Sequence, residues 1–160
     1  MKIQEWIVEN LHEDSVIIEA GAASGTDTLW FSQNFPKGRI FAFEPLGVSY
    51  DKTVQRVATC DNVEVYNVAL GPTESTEELY VSSNRVSSSL LKPTGHIQFH
   101  PRISFENKST VKTINLDNFL RGQGVEEVDL MWLDMQGYEH TVLSHSLETL
   151  SKTRYLYTEV

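Results

Sequence analysis

A chain of 160 residues, 40% hydrophobic and 22% charged, is long enough to bury one real core and too short for two, so one domain is expected. Its formal net charge of −9, with 13 Lys and Arg scattered along it, works against a sequence-independent grip on phosphate backbones and makes nucleic acid a poor partner. No stretch approaches the run of about 20 apolar residues that a membrane span requires, the start MKIQEWIVEN lacks the layout of a signal peptide, and the single cysteine, Cys60, leaves no internal disulfide or cysteine zinc site, so a cytoplasmic protein with a packed thiol is expected.

In chain order, Ile3, Trp6, Ile7 and Leu11 recur at helical spacing. Val16 to Ile18 is a β-branched run of the kind a strand covered on both faces needs. A small-residue loop follows, then a helix marked by Leu29, Trp30, Phe31 and Phe35 that ends before Pro36 and Gly38, then an apolar strand from Arg39 to Phe43. Tyr50, Val54, Val57 and Ala58 continue as a helix, and Val63 to Asn67 as a third strand. Further on, Leu116 to Leu120 reads as a short helix, Asp129 to Leu133 as a fourth strand, Val142 to Leu150 as a helix, and Leu156 to Glu159 as a fifth strand. This alternation predicts an α/β fold with an open, doubly wound, mostly parallel Rossmann-like sheet. Between Gly71 and Ile114 the rhythm breaks into period-two pieces (Leu79 with Val81, Ile103 with Phe105, Val111 with Thr113) around the serine-rich "SSNRVSSSLLKPTGH", an insertion of β character expected at one end of the sheet as an excursion or lid.

In such a sheet ligands sit beyond the carboxyl ends of the strands. There "EAGAASG" offers Glu19, two glycines, Gly21 and Gly25, that let the backbone turn sharply, and Ala22, Ala23 and Ser24, which keep the space open. A dinucleotide fingerprint would carry glycine at position 23 and a pyrophosphate on the helix N-terminus. Alanine at 23 and an acid ahead of Gly21 suit instead a ligand with a positive ammonium group and no pyrophosphate, of which S-adenosylmethionine is one. Glu44, followed by Pro45 at the end of the second strand, lies about 20 residues beyond the loop, where a carboxylate accepts hydrogen bonds from ribose hydroxyls.

"IIEAGAASG", "IFAFEP", "VYNVALG", "SSSLL", "TINLDNFL" and "VDLMWLDMQGYEHTVL" stand in the order found in FkbM-type methyltransferases, and from Val16 to Val160 the chain resembles that family. The resemblance implies the class I S-adenosylmethionine-dependent fold. It implies that Glu19, Gly21 and Gly25 form the loop at the methionine end of the cofactor, that Glu44 binds the ribose, that Asn67, Ala69 and Leu70 lie near the adenine, and that a hydroxyl of a small molecule or glycan is methylated. The chain departs from the family in two places: Gln136 stands where a carboxylate is usual, which speaks against a metal or proton-transfer role there, and the antiparallel strand pair that normally follows the fifth strand is expected to be absent.

Methyl transfer to a hydroxyl needs alignment, exclusion of water and a proton acceptor. Asp134, at the end of the fourth strand and also within reach of the cofactor, is the first candidate to orient or deprotonate the acceptor; Glu139 and Glu159 follow. Glu139 in the first turn of a helix is also what the macrodipole favours. Ser87, Ser88 and Ser89 offer hydroxyls to cofactor or acceptor. His96 and His100 have helical metal-ligand spacing, but Gly95 and Pro101 flank them and no metal is expected. Tyr138, Trp132 and Trp30 read as packing residues. Two other functions fit a sheet of this kind: a nicotinamide-dependent oxidoreductase, which Ala23 disfavours, and a noncatalytic methyltransferase-like binding module.

Overall fold

The computed structural model describes residues 2–82, 88–91 and 107–158. Helix α1 (Ile3–Asn10) opens with the Lys2 N–H donating to Glu5 Oε2 at 3.0 Å and buries Ile7 as its contact stripe. Strand β1 (Val16–Ala20) is buried at its last four positions, as a central strand must be. Helix α2 (Thr26–Asn34) starts at left-handed Gly25, and β2 (Arg39–Phe43) is buried from Ile40 onward. Helix α3 (Gly47–Arg56) leads to β3 (Val63–Tyr66), a half-exposed outer strand. Beyond the insertion come α4 (Leu116–Gly122), capped by Asn115 accepting from the Asn118 N–H at 3.1 Å, and β7 (Val128–Leu133). Helices α5 (Glu139–Ser144) and α6 (Leu147–Ser151) and strand β8 (Thr153–Thr158) complete the described chain.

Strands β3, β2, β1, β7 and β8 form one sheet in that order, every neighbouring pair parallel. In register, Ile17 of β1 lies between Ile40 and Leu130, and Glu19 between Ala42 and Trp132. Successive side chains leave opposite faces. Ile17, Ile40 and Leu130 pack with Ile7, Phe31 and Phe35 from α1 and the α2 segment, while Ile18, Phe41 and Met131 pack with Leu116, Leu120 and Val142 from α4 and α5. Helices on both faces make the sheet doubly wound. The chain winds one way from β1 through β2 to β3 and the other way from β7 to β8, so the crevice of such a fold opens between the carboxyl ends of β1 and β7.

The expected single helix from Val142 to Leu150 is two. Asn115 Nδ2 donates to the His145 carbonyl at 2.8 Å, and the Asp117 carboxylate accepts from the Glu148 and Thr149 N–H groups, so a new helix start is capped from α4. The fifth strand of the sheet begins at Thr153, ahead of the expected Leu156.

The insertion supplies a second sheet. Strand β5 (Ser75–Val81) runs antiparallel to β6 (Asn107–Ile114), whose other edge pairs in parallel with the short β4 (Ala69–Leu70). Leu79 and Val111 pack with Ala69 and Leu46, joining this sheet to the segment after β2. The strand piece expected at Ile103 and Phe105, together with Ser87, Gly95, His96, His100, Pro101 and Glu159, lies outside the described residues.

Candidate active site

A partly open cleft lies at the switch point, where ligands of such a sheet bind. The structure brings Gly21, Ala23, Glu44, Pro45, Ala69, Leu70 and Asp134 to its wall. Ala22, Ser24, Gly25, Glu19, Asn67 and Glu139 are not on that wall, and each is placed behind or beside it by a contact or by burial.

The loop from Gly21 to Gly25 is fixed by the protein itself. Gly21 has φ +90°, and a Cβ there would lie 1.9 Å from the Asp134 carbonyl oxygen; at Gly25, φ +73°, it would lie 2.9 Å from Thr53 Cα. Both glycines therefore serve close approach between backbone segments, Gly21 where the ends of β1 and β7 meet and Gly25 where α2 meets α3. Ala23 is also left-handed, at φ 51°, and is held there from two sides: its N–H donates to Glu44 Oε2 at 2.8 Å, and Thr53 Oγ1 donates to its carbonyl at 3.3 Å. Ala22 is buried, and Ser24 pairs with Thr26 at 3.3 Å.

Glu44 ties this loop to the segment after β2, since its Oε1 accepts from the Leu46 N–H at 2.8 Å. Burial raises its pKa and the amides of Leu46 and Ala23 oppose the rise. A carboxylate has about four lone-pair positions, so two remain for a ligand. Asn67 Nδ2 donates to the carbonyls of Glu44 and Pro45 and braces this turn from outside the cleft; its neighbour Val68 is the residue on the wall.

Glu19 lies on the α2 side of the sheet, only 2% exposed, and its Oε2 has no hydrogen-bond partner, nor has Thr28 Oγ1 nearby. Burial pushes its pKa up to about 8; the Thr28 side chain pulls the other way, and Asp27 and Glu44 add to the rise. Asp27, in the first turn of α2, is raised by burial and then by Asp134. Four carboxyl groups thus share one field around the loop; Glu19 holds its proton below about pH 8, and among the described residues no ion pair with Lys, Arg or His neutralises the others. Nor do three described His, Cys, Asp or Glu side chains converge as a metal site. Such a loop attracts a cation.

Asp134 continues the β1–β7 ladder through its N–H to Ala20 O at 2.9 Å and lines the cleft, and Gln136 Nε2 donates to its Oδ1 at 2.6 Å. Glu139, first residue of α5 and buried, accepts the Met135 N–H at 2.6 Å and closes the intervening loop. Leu79 of β5 and the insertion residues Ser88, Ser89 and Leu90, bridged to β5 between Ser89 and Tyr80, form the far wall. Ser88 Oγ accepts from the Ser82 N–H, and Ser89 Oγ donates to the Met135 and Gln136 carbonyls.

Sequence reasoning missed Phe43, Val68, Leu79, Leu90 and Met135 as cleft residues, and Tyr138, read as packing, both packs and lines the cleft. Apolar residues at a cleft wall carry no pattern that separates them from core residues. Trp132, by contrast, stacks on Tyr157 at 3.7 Å and meets Phe31 edge-on, and Trp30 packs on Phe31 and Phe35.

Comparison with known proteins gives this geometry a family. The Methyltransferase FkbM domain matches residues 19–160. The chain is 30% identical to the 2-O-methyltransferase NoeI of Sinorhizobium fredii, across 99% of this chain and 69% of that protein. It is 28% identical to the methyltransferase sdnD of Sordaria araneosa, across 85% and 62%, and 23% identical to the hexuronic acid methyltransferase AglP of Haloferax volcanii, across 96% and 59%. The chain therefore spans between 59% and 69% of the length of these relatives. Among solved structures, an rRNA methylase from Streptococcus thermophilus shares the fold, with a TM-score of 0.53 at 17% identity over 94% of this chain and 62% of that one. By a match that takes in the glycine-pinched loop, the β2 carboxylate and the Asp134 loop together, the chain belongs to the FkbM methyltransferase domain family.

Proposed function

We propose that this methyltransferase domain uses S-adenosylmethionine to methylate a hydroxyl of a small molecule or glycan. The observation that carries the reading is the 2.8 Å hydrogen bond from the Ala23 N–H to Glu44 Oε2, because it makes the loop after β1 and the carboxylate after β2 two sides of one cleft. The residues present fit the cofactor. Its cationic methionine end suits a loop ringed by Asp27, Glu44 and Asp134, with the buried Glu19 carboxyl, one oxygen of which is orphaned, behind them. Its ribose suits the spare lone pairs of Glu44, and its adenine the apolar strip of Phe43, Pro45, Val68 and Leu70. When bound it supplies a methyl carbon already activated by a sulfonium.

The chain's own work is then to align and to move a proton. Asp134 accepts the proton of the acceptor hydroxyl and orients its oxygen, a contribution of about 10²- to 10⁴-fold for a positioned base. Leu79, Leu90, Met135 and Tyr138 keep water from the reacting centre. Glu139 supports the loop that carries Asp134. A sugar-type acceptor is supported by the names of two relatives, a 2-O-methyltransferase and a hexuronic acid methyltransferase. The net charge of −9 speaks against a polyanionic acceptor.

Calorimetry with S-adenosylmethionine and S-adenosylhomocysteine tests the cofactor, and radiolabelled S-adenosylmethionine with a panel of methyl glycosides tests the reaction. Binding and label transfer to a glycoside hydroxyl are expected. A folded sample that binds neither ligand at millimolar concentration overturns the proposal; binding without transfer to any glycoside leaves a cofactor-binding module.

A further inference from the structure

The loop between β7 and α5 contains an arrangement that proton acceptance by Asp134 alone does not explain. Gln136 sits at φ 55° and Gly137 at φ 96°. Glycine accepts that region freely, whereas a residue with a Cβ is disfavoured there and persists only when its surroundings over-determine it. The surroundings do so. The Gln136 carbonyl accepts from Ser89 Oγ of the insertion at 3.1 Å, the adjoining Met135 N–H is taken by Glu139 Oε1 at 2.6 Å, and a Cβ on Gly137 would already touch Leu91 at 3.3 Å. What the strained turn achieves is to fold the Gln136 side chain back over its neighbour, so that Nε2 donates to Asp134 Oδ1 at 2.6 Å.

That contact has a chemical consequence. The last torsion of an aspartate is broad, and a half-exposed carboxylate at a cleft wall rotates freely unless something holds one of its oxygens. A donor on Oδ1 selects one rotation and leaves Oδ2 as the oxygen for another partner. An amide donor does this without adding a negative charge beside the carboxyl groups of Asp27, Glu44 and Asp134.

We propose that Gln136 is a positioning residue for methyl transfer: its side-chain amide fixes Asp134 through Oδ1 and thereby presents Oδ2 to the acceptor hydroxyl. The inference rests on the reading of Asp134 as proton acceptor. Ser89 serves the same end from the insertion, since it pins the carbonyl of the residue whose side chain does the holding.

Two variants test it. Gln136→Met keeps the side-chain length and removes the donor; Gln136→Gly removes the donor and also relieves the left-handed backbone. Each is compared with the unaltered chain for Tm, for the Kd of S-adenosylhomocysteine, and for kcat with the methyl glycoside that the unaltered chain methylates fastest. Both variants are expected to lose kcat by about 10- to 100-fold, with Kd unchanged and with the Tm of the glycine variant equal to or above that of the unaltered chain. Undiminished kcat in either variant overturns the inference. So does a fall in kcat that comes with a matching loss of Tm and of S-adenosylhomocysteine affinity, which marks Gln136 as a structural tie. If the unaltered chain binds no cofactor or methylates no glycoside, the proposed function itself fails, and that outcome is read without either variant.

Discussion

Glu19 and Glu44 occupy comparable places, each at the carboxyl end of a central strand, yet their surroundings give them different work. Glu44 accepts two backbone amides, one on each oxygen, so Glu44→Ala leaves two donors without their acceptor at a cost of about 2–3 kcal/mol, whereas Glu44→Gln keeps one acceptor oxygen and leaves one donor facing its NH2. The glutamine variant is expected to fold and to bind S-adenosylhomocysteine about tenfold more weakly, the loss of one charge-assisted contact; unchanged affinity by calorimetry would remove Glu44 from the cofactor site. Glu19 has an orphaned oxygen and a pKa pushed up to about 8, chiefly by burial. In the unfolded chain this carboxyl ionises near 4.5, so between pH 4.5 and 8 the folded state holds a proton that the unfolded state has released. Stability from this group is therefore greatest below pH 4.5, falls as pH rises towards 8, and levels off above, with an upper bound of about 5 kcal/mol on the loss. Glu19→Gln is neutral throughout and its amide can reach the unpartnered Thr28 hydroxyl. Its Tm is expected to decline less than that of the unaltered chain between pH 5 and 8, and equal declines would contradict the burial argument.

At the scale of elements, the meeting of β1 with β7 and the break between α5 and α6 show what packing adds to local preference. Gly21→Ala would drive a Cβ into the Asp134 carbonyl at a φ of +90°, so a loss of about 3 kcal/mol or more is expected, read as a lowered Tm together with lost cofactor binding. Asp117→Ala uncaps α6 and is expected to cost about 1–2 kcal/mol. Asp117 lines a separate groove with Val128, the first residue of β7, and so lies at the opposite end of the strands from the cleft; S-adenosylhomocysteine affinity should be unchanged in that variant. The strands were legible because β-branched and aromatic runs bounded by glycine and proline announce themselves locally. The helix break was not, because its cause, Asn115 and Asp117, comes from α4 about thirty residues earlier. Glu44 and Asp134 were legible as candidates because a carboxylate at the end of a predicted parallel strand has few other places to point. The true partner of Gly21 was hidden, since a glycine required by a distant carbonyl looks the same in sequence as one required by a ligand. The Gln136 contact was hidden too, because nothing in "DMQGYE" signals that a glutamine will adopt a left-handed conformation.

For the whole molecule, a net charge of −9 and the coupled carboxyl groups of Asp27, Glu44 and Asp134 around the loop act in the same direction. S-adenosylmethionine carries one carboxylate, one ammonium and one sulfonium, a net single positive charge, whereas S-adenosylhomocysteine lacks the sulfonium and is neutral overall. The two ligands differ by one methyl group in shape and by one full charge in electrostatics. The field of the protein should therefore favour the methyl donor over the spent product at low salt, which also assists product release. Salt separates this effect from shape, since screening shortens the reach of the charges from roughly 30 Å at 0.01 M to about 10 Å at 0.1 M and 3 Å at 1 M and leaves van der Waals contacts alone. Titration calorimetry across that range is expected to weaken S-adenosylmethionine severalfold and to change S-adenosylhomocysteine much less, with Asp27→Asn reducing the difference because its carboxylate lies within the shared field of Glu19 and Asp134. Identical salt dependence for the two ligands would mean that the carboxylates shape the loop without selecting its charge, and the case for a cation site would then rest on Glu44 alone.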